Sequence, residues 1–115
     1  ISSGESMLDV AKQIKERHAN RVFICTTYGL FTEGMDKFDA YYEKGWIDKV
    51  ITTNLNYRIP ELLTRPYYIE KPYYIEANMS KYLASIMDII NHDVSVEKVR
   101  SSNEKIMDLM KRVNQ

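Results

Sequence analysis

Apolar residues recur along this chain with two alternating spacings, and the alternation predicts a fold class before any motif is considered. Met7, Val10, Ala11 and Ile14 fall at helical intervals with Lys12, Lys15, Glu16 and Arg17 between them, predicting an amphipathic helix over residues 6–18 that lies against a sheet. Residues 21–27 form a short β-branched and aromatic run without helical period, as expected for a strand covered on both faces. Phe38, Tyr41 and Tyr42 restore the helical offsets over residues 35–44, with Gly45 as the stop, and a second strand is predicted over residues 49–53. Pro60 can open a short helical turn. The pattern predicts an α/β domain with a parallel sheet, whose ligand edge lies beyond the carboxyl ends of the strands.

Two later segments complete the pattern. Pro-Tyr-Tyr-Ile-Glu occurs twice, at residues 66–70 and 72–76; the second copy is predicted as a strand and the first as an extended insertion or edge segment, because prolines oppose two interior strands. Stacking of nucleic-acid bases on the paired tyrosines is disfavoured by the lack of interleaved Arg or Lys, and packing is the simpler reading. Met79, Tyr82, Leu83, Ile86, Met87, Ile89 and Ile90 form a broad stripe on a helix over residues 79–92, expected to pack on the sheet. Beyond it Val99, Ile106, Leu109, Met110 and Val113 mark a last helix, with Ser101, Ser102 and Asn103 as its cap.

Composition narrows the function classes. The chain has 115 residues, 44% of them hydrophobic and 28% charged, which suits one compact domain. Its 16 basic and 16 acidic residues cancel, leaving no field of one sign to attract nucleic acid or an anionic membrane. No apolar run is long enough to span a bilayer and no signal-peptide pattern appears, so the expectation is a soluble protein. Cys25, the only cysteine, fits a reducing cytoplasm and is expected to be a buried, inert thiol. His18 and His92 lack second ligands at zinc spacing and read as helix-end residues; Ser95, His92 and Asp93 are neighbours that rarely converge as a nucleophilic triad.

The candidate chemistry lies in the first six residues. Ser2, Ser3, Gly4, Glu5 and Ser6 lead directly into the first helix, where unpartnered amides favour an anion, hydroxyls can donate and Gly4 permits positive φ. Plain capping is the competing reading, since Ser2 with Glu5 and Ser6 with Asp9 both fit a capping box.

The same residues carry a resemblance. Ser2-Ser3-Gly4-Glu5-Ser6-Met7-Leu8-Asp9-Val10-Ala11-Lys12, then Arg21-Val22-Phe23-Ile24, Thr27-Tyr28-Gly29-Leu30-Phe31-Thr32-Glu33-Gly34, Thr52-Thr53-Asn54-Leu55 and Asn78-Met79-Ser80-Lys81-Tyr82-Leu83-Ala84 resemble, in order, segments of ribose-phosphate pyrophosphokinases. The resemblance implies a parallel-sheet, phosphoribosyltransferase-like α/β domain over residues 1–99, incomplete at its amino terminus, with a helical tail over residues 100–115. It further implies transfer of diphosphate from ATP to ribose 5-phosphate, giving phosphoribosyl pyrophosphate, with Mg2+ in the complete enzyme and no metal ligand identified in this chain. Ser3, Gly4, Glu5 and Ser6 would grip the 5-phosphate and Ser2 would sit beside the ribose. Ser2 stands where many relatives carry an acid, Glu5 where they carry a small residue, and Tyr28 where many have histidine, so Tyr28 is given no catalytic role. The implied setting is a cytoplasmic homo-oligomer, a hexamer being one form, with neither nucleic acid nor membrane as partner. The fragment alone is expected to be inactive and poorly soluble. The alternative is a non-catalytic binding or regulatory subunit of the same fold.

Overall fold

The computed structural model describes residues 1–64, 71–92 and 102–114. The first copy of the tyrosine repeat, the Asp93 and Ser95 positions, Val99 and Ser101 lie outside the described residues. The chain divides into two compact units, Ile1–Met79 and Ser80–Gln115.

The first unit is α/β. It runs α1 (Glu5–Glu16), β1 (Phe23–Thr26), α2 (Asp36–Glu43), β2 (Lys49–Thr53), α3 (Pro60–Thr64) and β3 (Tyr74–Ala77). The strands form one parallel sheet in the order β1-β2-β3, with Ile24 opposite Val50 and Val50 opposite Tyr74. The elements are those the pattern predicts, with helix ends moved by one or two residues. The fold is consistent with a phosphoribosyltransferase-like domain.

Helix ends follow local chemistry. At the end of α2 the Gly45 amide donates to the Tyr42 carbonyl and the Trp46 amide to that of Tyr41, both 2.9 Å, with Gly45 at φ 73°. That pairing reclaims two carbonyls a helix end leaves open. Helix α1 ends the same way without a glycine: His18 takes φ 67° and donates to Lys15, and Ala19 donates to Ile14. Its start differs from expectation. Gly4 is the N-cap, at φ 89°, and no side-chain cap bond forms there, so neither capping box exists. A glycine in the left-handed region sets the entry angle, which places Ser6 inside the first turn rather than before it.

The core is built on one face of the sheet. Ile24, Val50, Thr52 and Tyr74 are buried together with Leu8 and Ala11 of α1, Phe31, Met35, Phe38 of α2, Ile47, Leu62 and Tyr73. Phe31 stacks edge-on to Phe38 at 5.2 Å and to Tyr74 at 6.1 Å, geometry favoured by ring quadrupoles. The expectation that β1 is covered on both faces fails, because Phe23 is 55% exposed and Cys25 is exposed too. Cys25 is therefore not a buried thiol; period-2 alternation turns it away from Ile24. The expected inward stripe of α1 is also revised. Leu8 and Ala11 face the core, while Met7, Val10 and Ile14 are 39–51% exposed.

The second unit holds α4 (Ser80–Asn91) and α5 (Ser102–Val113). No described residue of α4 is buried, and Met87 and Ile90 are among its most exposed side chains. Within this unit the Lys105 ammonium lies 5.8 Å from the Tyr82 ring centre. A hollow of about 290 Å³ runs beside Ile106, Leu109, Met110 and Val113.

Candidate functional site at the carboxyl edge of the sheet

The turn of Ser2, Ser3, Gly4, Glu5 and Ser6 is held beside the loop that leaves β1. The Ile1 backbone nitrogen donates to the Tyr28 carbonyl at 2.9 Å, the Leu30 amide to the Ile1 carbonyl at 3.0 Å, and the Thr32 amide to the Ser2 carbonyl at 3.1 Å. Ser2 Oγ lies 3.4 Å from Thr32 Oγ1. Phe31, between these contacts, adopts φ 47° and is buried, so the loop holds an aromatic residue in a conformation that L side chains rarely take. Because this loop follows β1, the turn stands at the carboxyl end of the strands, where α/β folds place ligands.

Gly4 fixes the turn from below. It is buried, and a Cβ built there would stand 2.3 Å from Phe38 Cζ, so no side chain fits without moving a fully buried ring. The Leu8 amide donates to the Gly4 carbonyl at 2.9 Å, closing the first turn of α1. Ser2, Glu5 and Ser6 are exposed and Ser3 is half-buried. The turn thus presents the first helix amides, with no side-chain cap of its own.

Glu5 presents the obvious electrostatic problem, since a carboxylate at the turn would repel an anion. Its carboxylate is turned onto Lys37 of α2, which also meets Glu33 at 3.0 Å. The hydrogen bond from Lys37, followed by its charge, holds the Glu5 carboxyl below its ordinary range, and the bond to Glu5, then that to Glu33, raises Lys37. Lys37 was not legible as part of this site, because the pair is separated by 32 residues. A hollow of about 430 Å³ is lined by Glu5, Leu8, Asp9, Lys37 and Tyr41.

Along the same edge a shallower hollow of about 290 Å³ is lined by Cys25, Thr26, Thr27, Ile51, Thr52, Thr53 and Ala77. Thr53 Oγ1 donates to the Thr27 carbonyl at 2.5 Å, tying the ends of β1 and β2 together. Thr26 Oγ1 lies 3.4 Å from the Ile1 backbone nitrogen, which joins this hollow to the turn. Thr27, Thr52 and Thr53 sit in stretches that carry the resemblance, without a role assigned from sequence.

Beside the start of α2, Asp36, Asp39 and Glu61 bring carboxylate oxygens within 4.8 Å of one another. The group does not fit Mg2+. Lys71 Nζ already lies 2.6 Å from Asp39 Oδ2 and 3.2 Å from Glu61 Oε1, and the Tyr73 hydroxyl donates to Asp39 Oδ1 at 2.5 Å. Burial works against the Lys71 charge, but the Asp39 and Glu61 contacts outweigh it and its pKa is raised. Burial, then the hydrogen bond to Asp39, pushes the Tyr73 phenol up as well. An ammonium supplies the positive charge here, so this is a structural cluster that joins α2, α3 and the entry to β3.

The fold and the turn define a class: an α/β domain with a glycine-pinned strand-edge loop opening a helix. Against known proteins, the chain is similar to the ribose-phosphate pyrophosphokinase of Mycoplasmopsis pulmonis (strain UAB CTIP), with 31% identity over 90 residues. The match takes in 76% of this chain and 26% of the relative, so it spans about a quarter of that protein's length. No family model matches the chain. Among the described residues, no helix is long and apolar enough to cross a membrane.

Proposed function

We propose that this chain is the ribose 5-phosphate-holding portion of a ribose-phosphate pyrophosphokinase, an enzyme that moves the diphosphate of ATP onto ribose 5-phosphate. The observation that carries the reading is the turn at Gly4. Its backbone is pressed onto Phe38, it opens α1 without a side-chain cap, and its one carboxylate is drawn aside by Lys37. Amides so placed favour a phosphate. In this reading the backbone of Gly4, Glu5 and Ser6, with the Ser3 and Ser6 hydroxyls, holds the 5-phosphate, and Ser2 lies on the ribose side. Residues 1–99 act as the substrate-binding portion and residues 100–115 as a tail. ATP and Mg2+ are engaged by parts of the enzyme beyond these residues, in a cytoplasmic homo-oligomer, and the chain by itself does not turn over.

The test is titration of the chain with ribose 5-phosphate, inorganic phosphate and ribose, followed by amide NMR shifts. Ribose 5-phosphate and phosphate should saturate shifts at Gly4, Glu5, Ser6 and Met7, and ribose should leave them in place. Shifts that appear elsewhere, or at these amides with ribose alone, would remove the proposal. Formation of AMP from ATP and ribose 5-phosphate by a polypeptide that includes this chain separates the enzyme from a non-catalytic subunit of the same fold.

A further inference from the structure

The two copies of the tyrosine repeat are more alike than five residues suggest. Arg65-Pro66-Tyr67-Tyr68-Ile69-Glu70 is followed at once by Lys71-Pro72-Tyr73-Tyr74-Ile75-Glu76, so each copy is a base followed by Pro-Tyr-Tyr-Ile-Glu. Every position of the second copy that carries a distinctive contact has its equivalent in the first. Lys71 bridges Asp39 and Glu61, and Arg65 is also a cation. The Tyr73 hydroxyl donates to Asp39, while the Tyr74 hydroxyl lies 2.7 Å from Thr52 Oγ1 in the core. Glu76, whose side chain is 9% exposed, forms an ion pair with Arg58, with Nε 2.8 Å from Oε2. The Tyr73 ring also lies 5.1 Å from Tyr42 and the Tyr74 ring 6.1 Å from Phe31, and two contacts are to backbone: Lys49 Nζ to the Pro72 carbonyl at 2.8 Å and the Val50 amide to the Tyr73 carbonyl at 2.9 Å.

We infer that the third position of the sheet can be filled by either hexapeptide, giving two threadings of one chain, and that Asn78 selects the second. A shift of six is even, so it preserves which side chains face the core, and no apolar residue changes sides. The shift shortens the connection before the strand by six residues and lengthens the one after it by six, and closure entropy changes only slowly with loop length. Glu61 of α3 touches Lys71, so α3 and the strand entry are neighbours already.

What distinguishes the threadings lies just past the repeat. In the observed register Asn54 Nδ2 donates to Asn78 Oδ1 at 3.1 Å, and the Met79 amide donates to Asn54 Oδ1 at 2.7 Å. In the other, Lys71 would stand in the place of Ala77 opposite Thr53, Pro72 in that of Asn78 and Tyr73 in that of Met79. Tyr73 still offers an amide to Asn54, but Pro72 offers no side-chain acceptor. Loss of the Asn54–Asn78 hydrogen bond alone corresponds to about a fivefold preference for the observed register.

The experiment is residue-resolved hydrogen exchange on the full chain, with urea unfolding of the same variants. The Asn78→Ala chain should show slowed exchange in both 68–71 and 74–77, as two populations, with the minor one enlarged about threefold, from about one chain in six to about one in two. Adding Tyr74→Ser should move protection to 68–71, and adding Tyr68→Ser to that chain should then abolish it. Tyr68→Ser with Tyr74 intact should change the urea midpoint little. Three results overturn the inference: protection confined to 74–77 in Asn78→Ala, loss of third-strand protection in Tyr74→Ser without its appearance at 68–71, or an equal effect of Tyr68→Ser on the urea midpoint with and without Tyr74. The last readout also holds if Tyr74→Ser proves only partly folded.

Discussion

Replacing Gly4 by alanine separates two reasons for a glycine at the candidate site. The first is backbone conformation. At φ 89° an alanine costs about 1–2 kcal/mol, offset in part by roughly 0.4–1 kcal/mol from the lower entropy of the unfolded alanine chain. The second is space. The new Cβ would meet Phe38 Cζ at 2.3 Å and Cε2 at 2.7 Å, and that ring is fully buried and stacked on Phe31. Displacing it is an overpacking event of about 1–3 kcal/mol. Gly45 provides the control, because it too has positive φ, at 73°, but nothing stands within 4 Å of its Cβ position. Gly45→Ala should therefore lose about 1 kcal/mol and Gly4→Ala about 2–4 kcal/mol, against a domain stability of roughly 5–15 kcal/mol. With a urea slope of about 1–2 kcal/mol per molar, the midpoints should differ by about 0.5–3 M. Trp46, packed edge-on to Tyr41 at 4.8 Å, provides a fluorescence signal. Adding Phe38→Leu should recover part of the Gly4→Ala loss, so that the double variant falls short of the sum of the singles. Equal losses at Gly4 and Gly45, or strict additivity with Phe38→Leu, would refute the claim that the Phe38 ring fixes the turn.

Three further outcomes follow from particular contacts. His18→Gly should stabilise the chain by about 0.5 kcal/mol in the same urea assay, because a glycine takes the left-handed helix-end conformation without the Cβ penalty but loses more freedom on folding. Tyr73→Phe should cost about 1–2 kcal/mol at neutral pH by removing a donor to Asp39. Both Lys71 and Tyr73 have raised pKa values, so their stabilisation is complete below the unfolded values of 10.5 and 10.0 and is lost as pH rises through the folded ones; the alkaline fall should begin above about pH 10 and be shallower in Tyr73→Phe, read from urea midpoints against pH. If Lys37 keeps the Glu5 carboxylate away from a bound anion, Lys37→Met should weaken phosphate binding to the Gly4 turn and Glu5→Gln should strengthen it, as measured by the amide titration; the opposite order would show that Glu5 does not oppose the anion.

Element types were largely legible because they rest on local pattern. Lys49, Val50, Ile51, Thr52 and Thr53 form a β-branched run bounded by Gly45 and Asn54, and the structure makes β2 of those five residues. Facing was harder to read. Met7, Val10 and Ile14 satisfy helical spacing as well as Leu8 and Ala11 do, and only the course of the chain around α1 decides which row is buried. The same applies to Cys25, whose apolar neighbours conceal a two-residue alternation. At the turn, glycine and hydroxyl content was readable, but the capping partners were not, since a left-handed Gly4 displaces the helix start by one residue. Glu5 with Lys37, and Lys71 with Asp39 and Glu61, join residues distant in sequence, and no local spacing announces such pairs.

The Thr53 hydroxyl bound to the Thr27 carbonyl lies just past the last paired residues of β1 and β2. A cross-tie at that place means the rim is already assembled before anything arrives. An incoming molecule would meet a stiff ledge, and its affinity would not be diminished by the entropy of freezing two loose loops.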